Sequence, residues 1–149
     1  MILDVDHWRA ELRPLLSSVD FPLVSKGFAE SLSESGSVPE TLRTLLGWGA
    51  RLAAVTLGDR GSVAAMGDEM IEIPAFEVEA RDTTGAGDVF HGAFAWALLA
   101  GLPAADALGA ASAAAAMNCR SLGAQGGIPG QAELESFLRT GRPQHNRAD

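Results

Sequence analysis

A glycine-rich turn between two apolar stretches constrains the fold of this chain more than any other feature. The turn reads DTTGAGD over residues 82–88, a strand-like stretch precedes it at residues 71–79, and a proline-free apolar run follows it at residues 89–100. A tight turn between a strand and a helix leaves free backbone N–H groups at the helix start, and the helix dipole adds partial positive charge there. The turn therefore predicts a site for an anion.

The second aspartate of this turn, Asp88, lies where that anion would approach. A further negative charge is unfavourable in such a place unless it performs a task. The task that fits is accepting a proton from a hydroxyl group that attacks a phosphoryl group. A glycine pair before a helix is often only a tight turn, and the aspartates on both sides make this combination more specific.

Two other phosphate-binding signatures do not fit the turn. In GAGDVFHG the third glycine of a G-x-G-x-x-G pattern would fall on Phe90, and no Gly-Lys-Ser/Thr of a Walker A loop follows. His91 lies three residues after Asp88 on the same helical face. We expect it to be a packed or hydrogen-bonded histidine near the helix start rather than a catalytic group.

The composition predicts one globular domain. The chain has 149 residues, of which 47% are hydrophobic and 20% charged, and its net charge is −8. The negative charge argues against a nucleic-acid partner or an anionic membrane surface, because phosphate affinity comes largely from Lys and Arg. The single cysteine, Cys119, allows no disulfide within the chain, which favours a cytoplasmic setting.

Neither a signal peptide nor a membrane span is predicted. The start, MILDVDHWRAEL, is acidic and mixed, and the apolar run at residues 89–105 contains His91, Gly92, Gly101 and Pro103. We expect two buried helices there.

Periodicity predicts alternating strands and helices. Strands are expected at residues 2–6, 21–25, 52–57, 62–66 and 70–73, and helices at residues 8–17, 28–32, 39–48, 87–100, 103–117 and 131–140. Gly67 and Asp68 indicate a hairpin between the last two strands. The alternation is typical of the α/β class, with a largely parallel sheet flanked by helices. Ligands of such sheets bind beyond the carboxyl ends of strands, where residues 56–61 and 82–88 lie.

Three stretches carry a resemblance to a known family. Residues 82–98, DTTGAGDVFHGAFAWAL, resemble the second signature of the ribokinase-like (PfkB) carbohydrate kinases. VTLGDRG at residues 55–61 resembles the nucleotide-contacting strand and turn of the family, and NCRSLGAQGGIP at residues 118–129 resembles its C-terminal nucleotide and cation loop. The resemblance covers residues 2–138 and only the C-terminal half of the family's fold. It implies ATP-dependent phosphorylation of a sugar or sugar-acid hydroxyl.

The resemblance implies a role for each matching residue. Asp88 would take the proton of the sugar hydroxyl, and the backbone amides of Gly85, Ala86 and Gly87 would form the anion hole for the γ-phosphoryl group. Mg²⁺ would arrive with ATP and bridge its phosphates. The ATP site would be lined by Thr56, Gly58, Asp59, Gly61, Ser112 and Asn118. A monovalent cation, K⁺, would be held by oxygens of Asp82, Thr84, Asn118, Ser121, Gly123 and Gly127.

The chain departs from the family pattern in two respects. Residues 25–28 read Ser-Lys-Gly-Phe where the family often carries an Asn-x-x-Glu motif that helps to place Mg²⁺. The N-terminal half, with the lid and most sugar contacts, has no counterpart. We therefore expect residues 1–140 to form the ATP-binding C-terminal part of a ribokinase-like domain, residues 141–149 to be a flexible tail, and the N-terminal sugar-binding half to be absent.

This departure sets further expectations. The expected ligands are ATP and a small sugar, but the chain alone should show little or no sugar kinase activity. A homo-oligomer would cover the sheet edge that the missing strands leave open. Two alternatives remain: a non-catalytic nucleotide-binding or partner-dependent module, and a truncated gene product.

Overall fold

The structure is a computed structural model that describes residues 1–33, 35–141 and 143. It divides into two compact units, Met1–Gly58 with Ser62–Glu72 and Asp59–Gly61 with Ile73–Asp149. Of the tail predicted at residues 141–149, residues 142 and 144–149 lie outside the described residues. Each unit is described by itself.

The first unit contains a five-stranded mixed sheet. Its strands, in sheet order, are β1 (Ile2–Val5), β2 (Phe21–Ser25), β3 (Ala53–Thr56), β4 (Ser62–Met66) and β5 (Glu69–Ile73). β2 pairs in parallel with both β1 and β3, whereas β3 pairs antiparallel with β4. The expected parallel arrangement therefore holds for the first three strands. The chain reverses between β4 and β5 at Gly67, whose φ of 58° suits glycine.

Three helices flank the sheet in this unit: α1 (Arg13–Leu16), α2 (Lys26–Leu32) and α3 (Val38–Gly47). The helix predicted at residues 8–17 is wrong in extent, because only a 3₁₀ turn at Ala10–Leu12 and the four residues of α1 are helical. Pro14 has no N–H to donate and is tolerated only in the first turn of an α-helix, so α1 starts next to it.

The core of the first unit lies between the sheet and these helices. Val24 of β2 and Val55 of β3 are fully buried and share an apolar cluster with Phe28 of α2 and with Leu42 and Leu45 of α3. Fully burying a side chain of this size contributes about 1.5–3 kcal/mol. The core thus fixes the strands whose carboxyl ends carry Ser25 and Thr56.

The second unit is built from α4 (Ala86–Leu99), α5 (Ala104–Asn118) and α6 (Gln131–Thr140). Phe94 and Ala97 of α4 are fully buried, and α4 packs along α5. The buried side of α5 consists mainly of alanines, which allow close approach of the two helices. The packing holds the first turn of α4 in place.

Only the first part of the strand-like stretch at residues 71–79 is a regular strand. β5 ends at Ile73, and Pro74 follows it. Proline cannot donate to a strand ladder, which accounts for the end of β5. Residues 74–81 run on without strand pairing among the described residues, except for an isolated bridge between Phe76 and Pro143.

Candidate functional site

The glycine turn and the start of α4 form a fixed structure in the second unit. Gly85 caps α4 with a left-handed backbone, φ 76°. A Cβ atom on Gly85 would lie 2.7 Å from the carbonyl oxygen of Ala124 and 2.8 Å from its Cβ atom. Both the backbone conformation and the neighbour exclude larger residues, so only glycine fits here. The turn is therefore packed directly against the loop that follows α5.

The backbone N–H groups of this helix start have different partners. The Val89 N–H donates to the Gly85 carbonyl at 2.9 Å, and the Ala86 N–H donates to the Thr83 carbonyl at 3.1 Å. Gly87 and Asp88 occupy the second and third helical positions, whose N–H groups have no carbonyl within the helix to reach. No side-chain cap forms at Gly85. The N–H groups open to an anion are thus those of Gly87 and Asp88 rather than that of Ala86.

The surroundings of Gly87 leave room for a ligand. Gly87 is exposed, and no atom lies within 4 Å of the position that its Cβ would take. Asp88 is also exposed and lies in the same first turn. The structure therefore places a carboxylate and two backbone donors together at the positive end of α4.

Asp82 joins the turn to the loop after α5. Its Oδ1 accepts the Thr84 N–H at 2.9 Å, and its Oδ2 accepts the Gly123 N–H at 2.8 Å. Hydrogen bonds from the Thr84 side chain and N–H, and then from the Gly123 N–H, hold the pKa of Asp82 below its usual range. Asp82 is thus an ionised carboxylate whose two oxygens are oriented by the backbone.

Asn118, the last residue of α5, is fully buried behind the turn. Its Nδ2 donates to the carbonyls of Thr84 at 3.4 Å and Ala124 at 3.1 Å, and its Oδ1 accepts the Gly127 N–H at 3.1 Å. One side chain thereby connects the glycine turn to two points of the following loop. In this arrangement the Asn118 side chain is a scaffold for the loop.

The remaining predicted cation residues lie in that loop. The Ser121 N–H donates to the Asn118 carbonyl at 3.1 Å. Gly127 has no space for a Cβ atom, which would lie 2.7 Å from the Asn118 carbonyl oxygen. The structure thus brings the predicted cation residues together around Asn118 and Asp82. Within the described residues, no group of three His, Cys, Asp or Glu side chains could hold a metal ion, so a cation here would depend on carbonyl oxygens.

The predicted nucleotide residues are divided between the units. Thr56 and Gly58 belong to the first unit, where the Thr56 hydroxyl donates to the Val24 carbonyl at 3.4 Å. Asp59 and Gly61 belong to the second unit, together with Ser112 and Asn118. The Ser112 hydroxyl donates to the Pro74 carbonyl at 3.2 Å, which ties α5 to the segment after β5.

Among the described residues of the second unit, two cavities lie close to the loop after α5, and neither is lined by Gly85, Gly87 or Asp88. The larger, of about 890 Å³, lies beside Glu77, Arg81 and the loop after α5. The smaller, of about 350 Å³, is mainly apolar and includes Trp96. Gly87 and Asp88, by contrast, are exposed at the start of α4. We take this helix end, rather than either cavity, as the candidate site, because the backbone donors and a carboxylate lie together there.

Sequence reasoning assigned no role in this site to Thr83 or Ala124, and it left the hydrogen-bond partner of His91 unnamed. Thr83 accepts the Ala86 N–H, Ala124 packs against Gly85, and the Nδ1 atom of His91 lies 2.7 Å from the Gly87 carbonyl oxygen. The hydrogen bond of His91 confirms the expected hydrogen-bonded histidine near the helix start. No sequence pattern marks Ala124, since its contact depends on how the loop folds back.

Across the described residues, no helix is both long and apolar enough to cross a membrane.

A model of a known protein family matches most of the chain. The profile described as "pfkB family carbohydrate kinase" matches residues 8–131. The ribokinase of Bacillus subtilis (strain 168) is 45% identical over 84 residues, which are 56% of this chain and 29% of that protein.

Solved structures extend the match over nearly the whole chain. A ribokinase from Thermotoga maritima, 34% identical, superposes with a TM-score of 0.82 over 93% of this chain and 49% of its own. A ribokinase II from E. coli, solved with ATP and Mg²⁺, is 28% identical, with a TM-score of 0.79 over 86% of this chain and 42% of its own. The fold is that of ribokinase structures, and the chain spans about half the length of the structures it matches.

Proposed function

Because the chain belongs to the pfkB family of carbohydrate kinases, we propose that it transfers the γ-phosphoryl group of ATP to a sugar or sugar-acid hydroxyl, as the ATP-binding part of such a kinase. The observation that carries this proposal is the start of α4. There, the open N–H groups of Gly87 and Asp88 share one helical turn with the Asp88 carboxylate. Phosphoryl transfer needs alignment and charge stabilisation at one point, and this turn can supply both.

The anion hole for the γ-phosphoryl group is assigned to the turn at Gly85. Backbone N–H groups fixed before the reaction stabilise developing negative charge without reorganising. The contact of Gly85 with Ala124 and the left-handed backbone keep the first turn of α4 in one conformation. The Gly87 and Asp88 N–H groups are open, whereas the Ala86 N–H contributes only by leaving the Thr83 carbonyl.

Asp88 is assigned as the general base. A carboxylate in the same turn as the anion hole can accept the proton of the attacking hydroxyl while the phosphoryl group is held by the amides. A positioned base of this kind contributes about 10²–10⁴-fold to the rate. Mg²⁺, when bound with ATP, would neutralise charge on the phosphates.

The cation is assigned to the loop behind the turn. The lowered pKa of Asp82 keeps its carboxylate ionised, and carboxylate and carbonyl oxygens suit a hard cation such as K⁺. The carbonyl of Thr84 and the backbone oxygens of Ser121, Gly123 and Gly127 are the further candidate ligands. Asn118 supports the site through its hydrogen bonds to Thr84 and Gly127.

The nucleotide is assigned to residues that the family resemblance indicates. They are Thr56, Gly58, Asp59, Gly61, Ser112 and Asn118. The side chain of Asn118 is already engaged with three backbone groups, which favours an indirect contribution to this site.

A second candidate function is nucleotide binding without transfer. It is favoured by one observation, that the match extends over only 49% of a ribokinase chain. Both functions use the same phosphate site, and they differ in whether a sugar phosphate forms.

The experiment that tests the proposal compares the protein with its Asp88→Asn variant. ATP binding is measured by calorimetry, and sugar phosphate formation is measured with ribose and fructose as acceptors. We expect Asp88→Asn to keep ATP binding and to lose about 10²–10⁴-fold of any turnover that the unaltered protein shows. Near-normal turnover of Asp88→Asn would refute the base assignment. ATP binding by the unaltered protein with no sugar phosphate from either acceptor would favour the second function.

A further inference from the structure

A histidine side chain contacts the backbone of the proposed anion hole. His91 lies one helical turn after Gly87, and its Nδ1 atom is 2.7 Å from the Gly87 carbonyl oxygen. A carbonyl oxygen only accepts hydrogen bonds, so Nδ1 must carry the hydrogen. The contact therefore requires a hydrogen on Nδ1, whether or not the other ring nitrogen is protonated as well.

The acceptor of this hydrogen bond belongs to the peptide unit that also contains the Asp88 N–H. The Gly87 carbonyl and the Asp88 N–H are the two ends of one planar, conjugated group. A hydrogen bond to the carbonyl polarises the group and strengthens its N–H as a donor, by about 10–30% in condensed-phase estimates. The Asp88 N–H is one of the two N–H groups in the first turn of α4, with that of Gly87, for which the described residues offer no backbone acceptor.

The same contact adds a side-chain restraint to a glycine that is otherwise held only by the backbone hydrogen bonds of α4. Gly87 has no side chain, and apart from its chain neighbours and the nearby backbone of α4 no atom lies within 4 Å of the position that its Cβ would take. Glycine has the greatest backbone freedom of all residues, so an unrestrained Gly87 would lose entropy when an anion binds. The His91 ring is itself packed edge-on against Phe90, which is 95% buried (5% exposed), with ring centroids 6.0 Å apart.

From these contacts we propose that His91 is a positioning residue of the phosphate site, which orients the Gly87–Asp88 peptide and strengthens the Asp88 N–H as a donor to the terminal phosphate of ATP. This inference rests on the proposed function, because it takes the start of α4 to be the phosphate site. It assigns no proton transfer to His91. The ring acts through the backbone and does not touch the ligand.

Two substitutions separate the hydrogen bond from the shape of the ring. His91→Phe keeps a planar ring of similar size and removes the donor. His91→Asn is smaller, but its Nδ2 lies near the place of the histidine Nδ1 and can donate to the Gly87 carbonyl, as short polar side chains do on the preceding turn of a helix. The full chain is used throughout, and ATP is compared with AMP, which lacks the terminal phosphates.

We expect His91→Phe to bind ATP about two- to five-fold more weakly, since hydrogen bonds to charged groups are strong and the donor loses part of its strength. AMP affinity should not change, and His91→Asn should bind ATP like the unaltered protein. In NMR spectra of the free protein, the Asp88 amide proton should move upfield in His91→Phe and return towards its original position in His91→Asn. A merely structural role would not produce this pattern.

Three results would overturn the inference. The first is an equal loss of ATP affinity in both variants, or no loss in either. The second is an Asp88 amide proton that does not respond to His91→Phe. The third is a ring nitrogen spectrum of the unaltered protein that shows Nδ1 without a proton, which decides the matter even if a variant fails to fold. If the unaltered protein binds ATP no better than AMP, the proposed phosphate site fails, while the Asp88 amide shift still tests the His91 contact by itself.

Discussion

Replacing Gly85 by alanine should destabilise the second unit. Alanine in the left-handed conformation that Gly85 adopts, φ 76°, costs about 1–2 kcal/mol. Its methyl group would also lie 2.7 Å from the Ala124 carbonyl oxygen and 2.9 Å from the Ala124 Cα. Because backbone atoms cannot move aside as a flexible side chain can, we add about 1–3 kcal/mol for overpacking. The expected loss is therefore about 2–5 kcal/mol in the free energy of unfolding.

The chain offers two matched controls on the same helix. Neither Gly87 nor Gly92 has a positive φ, and no atom lies within 4 Å of the Cβ position of either residue. Alanine is a better helix former than glycine, so Gly92→Ala should stabilise the protein by up to about 1 kcal/mol. Gly87→Ala should not destabilise the fold either, although its methyl group would stand where we propose that phosphate binds.

Urea denaturation followed by circular dichroism measures all three variants, with the midpoint and the slope fitted separately. We expect Gly92→Ala and Gly87→Ala to be at least as stable as the unaltered protein, and Gly85→Ala to be much less stable. A Gly85→Ala variant within about 0.5 kcal/mol of the unaltered protein, the range of ordinary surface substitutions, would refute the reasoning. An equal loss in Gly87→Ala would refute it too, because the structure gives that methyl group open space.

Three further predictions concern the aspartates and the buried asparagine. Asp88→Asn should leave the urea midpoint almost unchanged. In any form of the protein that phosphorylates a sugar, it should reduce turnover by about 10²–10⁴-fold, measured as sugar phosphate formed per unit time. The pKa of Asp82 in the folded protein is lowered. Its contribution to stability is therefore present above the unfolded pKa of about 3.9 and is lost as the pH falls through the folded value. Asp82→Asn should flatten the dependence of stability on pH in that acid range, measured by urea denaturation between neutral pH and pH 3. Asn118→Ala leaves the Gly127 N–H and two carbonyls without their side-chain partner and should cost about 2–5 kcal/mol, whereas Ser112→Ala, which removes one hydrogen bond, should cost about 1 kcal/mol by the same measurement.

The elements that could be predicted from the sequence are those with strong local signals. β2, β4 and α6 have the predicted bounds, because an apolar run or a helical face ends at a clear polar or glycine boundary. The hairpin at Gly67 followed from its turn residues. The glycine turn is recognisable because its residue types are unusual in combination. The helix after it, α4, begins only one residue before the predicted start.

The predictions that failed involve proline and long-range contacts. Pro14 shortens the first helix, and the strand-like stretch predicted up to residue 79 forms no regular strand after Pro74, although the apolar pattern continues past both prolines. The arrangement of the site depends on contacts between residues far apart in the chain, such as Gly85 with Ala124 and Asp82 with Gly123. Periodicity carries no information on such pairs. For the same reason, the sequence could not reveal that the Ala86 N–H is bound to Thr83 whereas Gly87 and Asp88 remain open.

The central claim, that the start of α4 binds the terminal phosphates of ATP, is tested most directly by an NMR titration of the backbone amides. ATP, with AMP as the control, is added to the ¹⁵N-labelled chain. The account predicts that ATP shifts the Gly87 and Asp88 amide resonances strongly and that AMP shifts them little. Shifts confined to the larger cavity, at Glu77, Arg81 and Arg120, with Gly87 and Asp88 unchanged, would contradict it.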